Sequence, residues 1–235
     1  MFFKKKCPSC GATVSNKKSC SSCGASMNQT RAEAKASIKD IEEVMPMNPR
    51  SAIAYTKRGV IYQNLGESDK ALNDFNMAIA NNSQFAKAYS NRGHVYLDKG
   101  DYDRAIEDCT KAIELDPKLA VAFSNRACSY TEKGYHDMAI ADFTRAIELD
   151  PNWAVAYSNR AASFSELGKF DLAVNDCTKA IELDPKLDAP YKNRGIAHEE
   201  QGNDAKAIAD YKKCLALTKN PEWIKRCQDG IQELV

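Results

Sequence analysis

The chain has 235 residues, of which 43% are hydrophobic and 28% are charged, and its formal net charge is +1. This balance is typical of a folded protein in water and excludes an intrinsically disordered or membrane-embedded chain. No apolar run reaches the length of a signal peptide or a transmembrane helix, so the sequence predicts a cytoplasmic protein without membrane association.

Four cysteines in the first thirty residues form two pairs, Cys7 with Cys10 and Cys20 with Cys23, and a glycine follows each pair. Four thiolates at this spacing complete a tetrahedral shell that leaves no open position for water. The spacing predicts one structural Zn²⁺ per chain, in a ribbon at residues 1–30 that depends on the metal for its stability. The segment resembles the short zinc ribbons at the termini of bacterial and archaeal proteins. A redox-active dithiol or another soft metal is the alternative.

The predicted ribbon is basic, because it carries five lysines and no acidic residue. A basic surface permits nucleic-acid contact, which would show itself as a steep salt dependence of binding. The only aromatic residues, Phe2 and Phe3, lie outside both cysteine pairs, so a platform for base stacking is not supported. A nucleic-acid-associated adaptor is therefore the alternative function, and nucleic acid is not the partner that we expect.

From Ser51 onward the sequence repeats every 34 residues. A small residue marks one position of every unit: Gly59, Gly93, Ala127, Ala161 and Gly195. A glycine seven residues later marks a turn: Gly66, Gly100, Gly134, Gly168 and Gly202. Three units end in the sequence Leu-Asp-Pro, and proline stops a helix before the next unit. The period predicts five helical hairpins.

This pattern resembles the tetratricopeptide repeat. The resemblance implies an all-α fold, a right-handed solenoid of helical hairpins whose concave groove binds peptides. It places repeats at residues 52–85, 86–119, 120–153, 154–187 and 188–219. Residues 31–50 resemble the second half of a repeat and are expected to cap the array. Residues 220–235 form an amphipathic pattern that predicts a second capping helix.

Helical phase separates two faces of the first helix in each unit. The aromatic and small residues share one face, and the residue two places after the first aromatic points away from it. That position is occupied by Lys57, Asn91, Asn125, Asn159 and Asn193. We expect these side chains to be exposed. The resemblance places them in the concave groove, and we name this surface the amide face.

Three further rows lie on the amide face. One is mostly apolar and is interrupted by Lys87; its other members are Ile53, Val121, Val155 and Ala189. A second row includes His94 and Cys128 among small apolar residues. The third is mostly acidic: Asp98, Glu132, Glu166 and Glu200. Such acids are often merely solvated, but they would also favour a basic ligand. Because an asparagine offers a donor and an acceptor to a peptide backbone, the face predicts an extended protein or peptide partner with basic character.

An arginine follows each amide-face position, and an aspartate lies sixteen residues after each arginine. The arginines are Arg58, Arg92, Arg126, Arg160 and Arg194, and we expect each to form a structural ion pair with its aspartate. Cys109, Cys177 and Cys214 stand at core positions of the repeat pattern.

Catalysis would need more than the pair His94 and Cys128, because no third group orients them. The sequence therefore predicts a non-catalytic scaffold without catalytic residues. It does not indicate an oligomeric state.

Overall fold

The computed structural model describes residues 5–6, 13–14, 31–45, 48 and 50–235. Two short strands precede the helices, β1 (Lys5–Lys6) and β2 (Thr13–Val14). They pair antiparallel, with Lys5 opposite Val14. In the described part of the chain from Arg31 onward every element is an α-helix, as the sequence predicts. Two compact units divide the helices between Lys133 and Gly134.

The first unit contains six helices. They are α1 (Arg31–Val44), α2 (Ala52–Asn64), α3 (Ser68–Asn81), α4 (Ala86–Asp98), α5 (Tyr102–Leu115) and α6 (Ala120–Glu132). Helices α2 and α3 form one hairpin and α4 and α5 the next, and α6 packs against α5. The first helices of successive repeats, α2, α4 and α6, also pack side by side.

The second unit also contains six helices. They are α7 (His136–Leu149), α8 (Ala154–Glu166), α9 (Phe170–Leu183), α10 (Ala189–Glu200), α11 (Asp204–Leu217) and α12 (Pro221–Glu233). Helices α8 with α9 and α10 with α11 form hairpins, α7 packs against α8, and α12 packs against α11. None of the described helices is long and apolar enough to cross a membrane.

Small residues bring the two helices of a hairpin close together. A methyl group at Gly195 would lie 2.6 Å from the ring of Tyr211, which is fully buried in the facing helix. In the first unit Gly59 faces Phe75 in the same way. The turn glycines have a different role. Gly100 has φ +77°, a backbone conformation that is strained for a residue with a Cβ atom. The small residues of the 34-residue pattern thus fix the packing distance and the turn of each hairpin.

The end helices cover the terminal repeats. Ala34 of α1 is buried, and Glu42 of the same helix accepts a hydrogen bond of 3.1 Å from Arg58. At the other end Cys227 and Gly230 of α12 are buried against α11. The outward positions of α12 are mainly polar, which is the composition that a solenoid end requires.

Candidate functional site

The repeated arginines form bidentate ion pairs with aspartates of the same repeat. In the first unit Arg92 donates to both carboxylate oxygens of Asp108, at 2.7 Å each. In the second unit Arg160 binds Asp176 in the same way, at 2.7 and 2.8 Å. The pairs Arg58 with Asp74 and Arg194 with Asp210 repeat this geometry. These four predicted ion pairs are confirmed.

The same arginines also connect each repeat to the preceding helix. The remaining terminal nitrogen of Arg160 donates to the hydroxyl of Thr144 on α7, at 2.9 Å. The corresponding acceptors of Arg58, Arg92, Arg126 and Arg194 are Glu42, Asn76, Thr110 and Thr178. Four of these arginines therefore each bind two helices, and the sequence predicted only one of the two contacts: Arg58, Arg92, Arg160 and Arg194.

Burial makes these aspartates dependent on their arginines. The side chain of Asp108 is 7% exposed, and its burial raises its pKa although the hydrogen bond from Arg92 opposes the rise. The same hydrogen bond raises the pKa of Arg92. Without the guanidinium, the aspartate would be a buried charge with no opposite charge beside it.

Two of the four asparagines are buried, so the expectation that they are exposed is wrong for these two. Asn125 is 6% exposed, and its amide nitrogen donates to the backbone carbonyl of Ser90 at 3.3 Å. Asn193 is 8% exposed and donates to the carbonyl of Ser158 at 3.1 Å. Both bonds cross from the first helix of one repeat to the first helix of the repeat before it.

The error has a geometric cause. Helical phase separates the side of α6 that faces its own hairpin partner from the side that does not. It does not reveal that α4 packs against the flank of α6. Asn125 lies on that flank, where the carbonyl of Ser90 offers an acceptor. The same argument applies to α10 and α8 in the second unit.

The residues at the three equivalent positions differ from Asn125 and Asn193. Lys57 is exposed, while Asn91 and Asn159 are half-buried. The backbone position that would match the carbonyl of Ser90 belongs to Thr56, but the side chain of Asn91 makes no hydrogen bond to any described residue. The hydroxyl of Thr56 is buried and likewise lacks a hydrogen-bond partner within the described chain. Between the first two repeats, Asn91 and Thr56 therefore make no side-chain hydrogen bond to a described residue. At the next junction, Asn125 binds the carbonyl of Ser90.

The row that contains His94 and Cys128 is less accessible than expected. His94 is 5% exposed, and its Nε2 atom lies 3.8 Å from a carboxylate oxygen of Asp98. The expectation that His94 lines an open surface is therefore wrong, because α4 packs between α2 and α6. Cys128 is half-buried.

Most carboxylates of the acidic row are exposed to solvent. Glu166 and Glu200 are exposed in the second unit, and Glu132 is exposed in the first. Glu132 accepts a 3.2 Å hydrogen bond from the hydroxyl of Tyr102, and its charge raises the pKa of that hydroxyl. Glu132, Glu166 and Glu200 thus offer carboxylates to solvent, as expected, whereas Asp98 is half-buried.

Cys109, Cys177 and Cys214 are fully buried, as the repeat pattern predicts. Cys227, on the apolar side of the helix predicted at residues 220–235, packs with Cys214 where α12 meets α11, and Lys192 lies beside them. The four cysteines predicted to bind zinc, Cys7, Cys10, Cys20 and Cys23, lie outside the described residues.

Family models of the tetratricopeptide repeat match five segments of the chain. The segments are residues 52–85, 86–119, 120–153, 154–187 and 189–221. The last match begins one residue later and ends two residues later than the repeat expected at 188–219. No curated protein sequence matches the chain.

Solved structures share the fold. PilW, described as a widely conserved type IV pilus biogenesis factor, superposes with a TM-score of 0.72 at 20% identity, covering 83% of this chain and 90% of PilW. YrrB, described as a tetratricopeptide repeat protein with an unusual peptide-binding site, has a TM-score of 0.64 at 21% identity, covering 82% and 99%. A tetratricopeptide repeat protein from Thermus thermophilus has a TM-score of 0.63 at 21% identity, covering 77% and 100%.

Proposed function

Because the chain belongs to the tetratricopeptide repeat family, we propose that it is a non-catalytic scaffold that binds an extended segment of a partner protein. Proteins with this repeat typically bind protein or peptide partners and are in general not enzymes. The described peptide-binding site of YrrB supports the same class of function for a similar fold. We place the binding site on the amide face of the first unit.

The observation that carries this proposal is that the side-chain amide of Asn91 makes no hydrogen bond to any residue that the structure describes. A side-chain amide supplies one acceptor and two donors, which is the complement of a peptide group. At Asn125 the donor side is already used by the carbonyl of Ser90. Asn91 retains both functions and is half-buried, so a ligand there would form its hydrogen bonds partly shielded from water.

The surroundings of Asn91 suit an extended segment with some basic character. Ile53 and Val121, on the same face, are 57% and 38% exposed and offer apolar contacts. Asp98 and Glu132 lie at the carboxyl ends of α4 and α6, where a lysine or arginine of the partner would find a carboxylate. Lys87 lies at the amino end of α4, so charge also distinguishes the two edges of the face.

The test compares two equivalent asparagines. Peptides that bind the full chain are first selected from a random library of unstructured peptides, and their affinities are then measured for Asn91→Ala and Asn125→Ala. A lost neutral hydrogen bond is worth about 0.5–1.5 kcal/mol, so Asn91→Ala should weaken binding by roughly two- to tenfold. Asn125→Ala should instead lower the stability and leave the affinity nearly unchanged.

Charge reversal provides the second arm. Glu132→Lys should select against basic peptides, because it places a cation where we propose that the partner's cation lies. Should Asn91→Ala bind every selected peptide as tightly as the parent chain, the amide face of the first unit would not be the binding site.

We also propose that Cys7, Cys10, Cys20 and Cys23 bind one structural Zn²⁺. The support is their sequence spacing, together with the short β1–β2 ladder whose strands flank Cys7 and Cys10 in the sequence. A cytoplasmic location stays a prediction from composition and cysteine content.

A further inference from the structure

Two thiols lie together beneath the last helix of the second unit. Cys214 of α11 and Cys227 of α12 are both fully buried, and both belong to the hydrophobic cluster around Tyr211. Their side chains are hydrogen-bonded to each other. The two thiols therefore lie beside each other where α11 packs against α12.

The two thiols are not equivalent. The hydrogen bond from Cys214 lowers the pKa of Cys227, and the nearby charges of Lys192 and Arg226 act in the same direction against the effect of burial. The same hydrogen bond, followed by burial, raises the pKa of Cys214. Because the thiolate is the form that reacts with oxidants, Cys227 is the sulfur that reacts first.

The neighbouring repeat offers a contrasting thiol. Cys177 occupies the position in α9 that Tyr211 occupies in α11, and it is also fully buried. Burial is the main cause that raises its pKa well above the usual range. Cys177 is thus a buried thiol whose surroundings favour the neutral form, and it provides a matched control.

An oxidant can reach the pair because α12 covers it with one face only, while the opposite face, with Lys225, Gln228 and Gln232, is exposed. The helix packs against α11, and a 2.6 Å ion pair between Arg226 and Glu199 joins it to α10. The ring of Trp223 also lies 4.6 Å from the amine of Lys192. A helix with one packed side has a low free energy of local opening, so transient release of α12 admits a small molecule.

We propose that Cys214 and Cys227 form a redox modification site, at which hydrogen peroxide closes a disulfide that fastens α12 to the last repeat. The Cys227 thiolate attacks one peroxide oxygen and the O–O bond breaks, which leaves a sulfenic acid and hydroxide. The sulfur of Cys214 then attacks the sulfur of Cys227, the S–O bond breaks, and hydroxide takes up the proton of Cys214. Two thiols are oxidised by two electrons, and one peroxide is reduced to two waters.

The disulfide would change the terminal repeat without changing the fold. It joins two sulfurs that are already adjacent, so α12 keeps its place while its local opening is suppressed. A dithiol reductant reverses the change. The end of the array would then be more tightly closed under oxidising conditions than under reducing ones.

The test uses the full chain treated with hydrogen peroxide, then alkylated and digested with trypsin without reduction. Trypsin releases Cys214–Lys219 and Cys227–Val235 as separate peptides, and the proposal predicts that they are recovered as one joined species. Amide hydrogen exchange of α12 should slow at least several-fold after oxidation. Cys177→Ser should form the joined species at the parent rate, whereas Cys214→Ser and Cys227→Ser should not form it.

Three results would overturn the proposal. The first is recovery of both peptides in alkylated form at a peroxide dose that oxidises glutathione in the same tube. The second is conversion of Cys227 to a sulfinic acid without a joined species. The third is pairing of either thiol with one of the N-terminal cysteines. If a serine variant fails to fold, the peptide map of the parent chain still decides among these results.

Discussion

The replacement Arg160→Ala tests whether the repeated arginines hold the array together. The guanidinium binds both oxygens of Asp176 and also the hydroxyl of Thr144, and it lies 5.7 Å from the rings of Tyr157 and Phe164. Truncation therefore leaves a buried carboxylate without its cation and opens the contact between α7 and α8.

The magnitude follows from the burial of both partners. Their side chains are 16% and 10% exposed, so solvent replaces little of the lost interaction. Removing one partner of a buried ion pair costs about 3–5 kcal/mol, and the residual exposure favours the lower end, about 3 kcal/mol. Asp176→Ala should cost a similar amount, and the double variant should cost clearly less than the sum of the two.

The assay is urea unfolding followed by far-ultraviolet circular dichroism. Arg145→Ala is the control, because Arg145 forms a 2.8 Å pair with Glu148 in which both side chains are about half exposed. Exposed pairs of this kind contribute less than about 1 kcal/mol. If Arg160→Ala is no more destabilising than Arg145→Ala, the arginine row is a surface feature and the structural argument fails.

Two further predictions concern the metal and pH. Elemental analysis of the purified chain should find one zinc per chain, and chelation should leave the helical signal of residues 31–233 intact; absence of stoichiometric metal would contradict the ribbon. Burial lowers the pKa of His198 below its usual 6.5, so the unfolded chain binds the proton more readily and stability should fall as pH drops through about 6.5. The variant His198→Phe places at this position the residue type of the equivalent Phe164. The difference between its urea midpoints at about pH 7.5 and 5.5 should be smaller than in the parent chain. If that difference is unchanged, other groups cause the pH dependence of stability.

The sequence by itself determined the repeat and the contacts inside each hairpin. A 34-residue period places the same residue types at the same points of every hairpin, and each repeat buries its core mainly against its neighbours. The pairs Arg92 with Asp108 and Arg160 with Asp176 follow from that register, since a fixed spacing on two antiparallel helices gives a fixed contact. The buried cysteines follow from the same register.

Contacts between repeats were decided only by the tertiary structure. The burial of Asn125 and Asn193 depends on how the first helices pack side by side, and a single-helix phase contains no information on that angle. The second acceptor of each arginine has the same origin. The amphipathic pattern of residues 220–235 predicts α12, but the contact of Cys214 with Cys227 depends on how α12 packs against α11, and the 34-residue register does not extend to this helix. The repeat pattern specifies each hairpin, while the packing of neighbouring helices decides which side chains stay available for a partner.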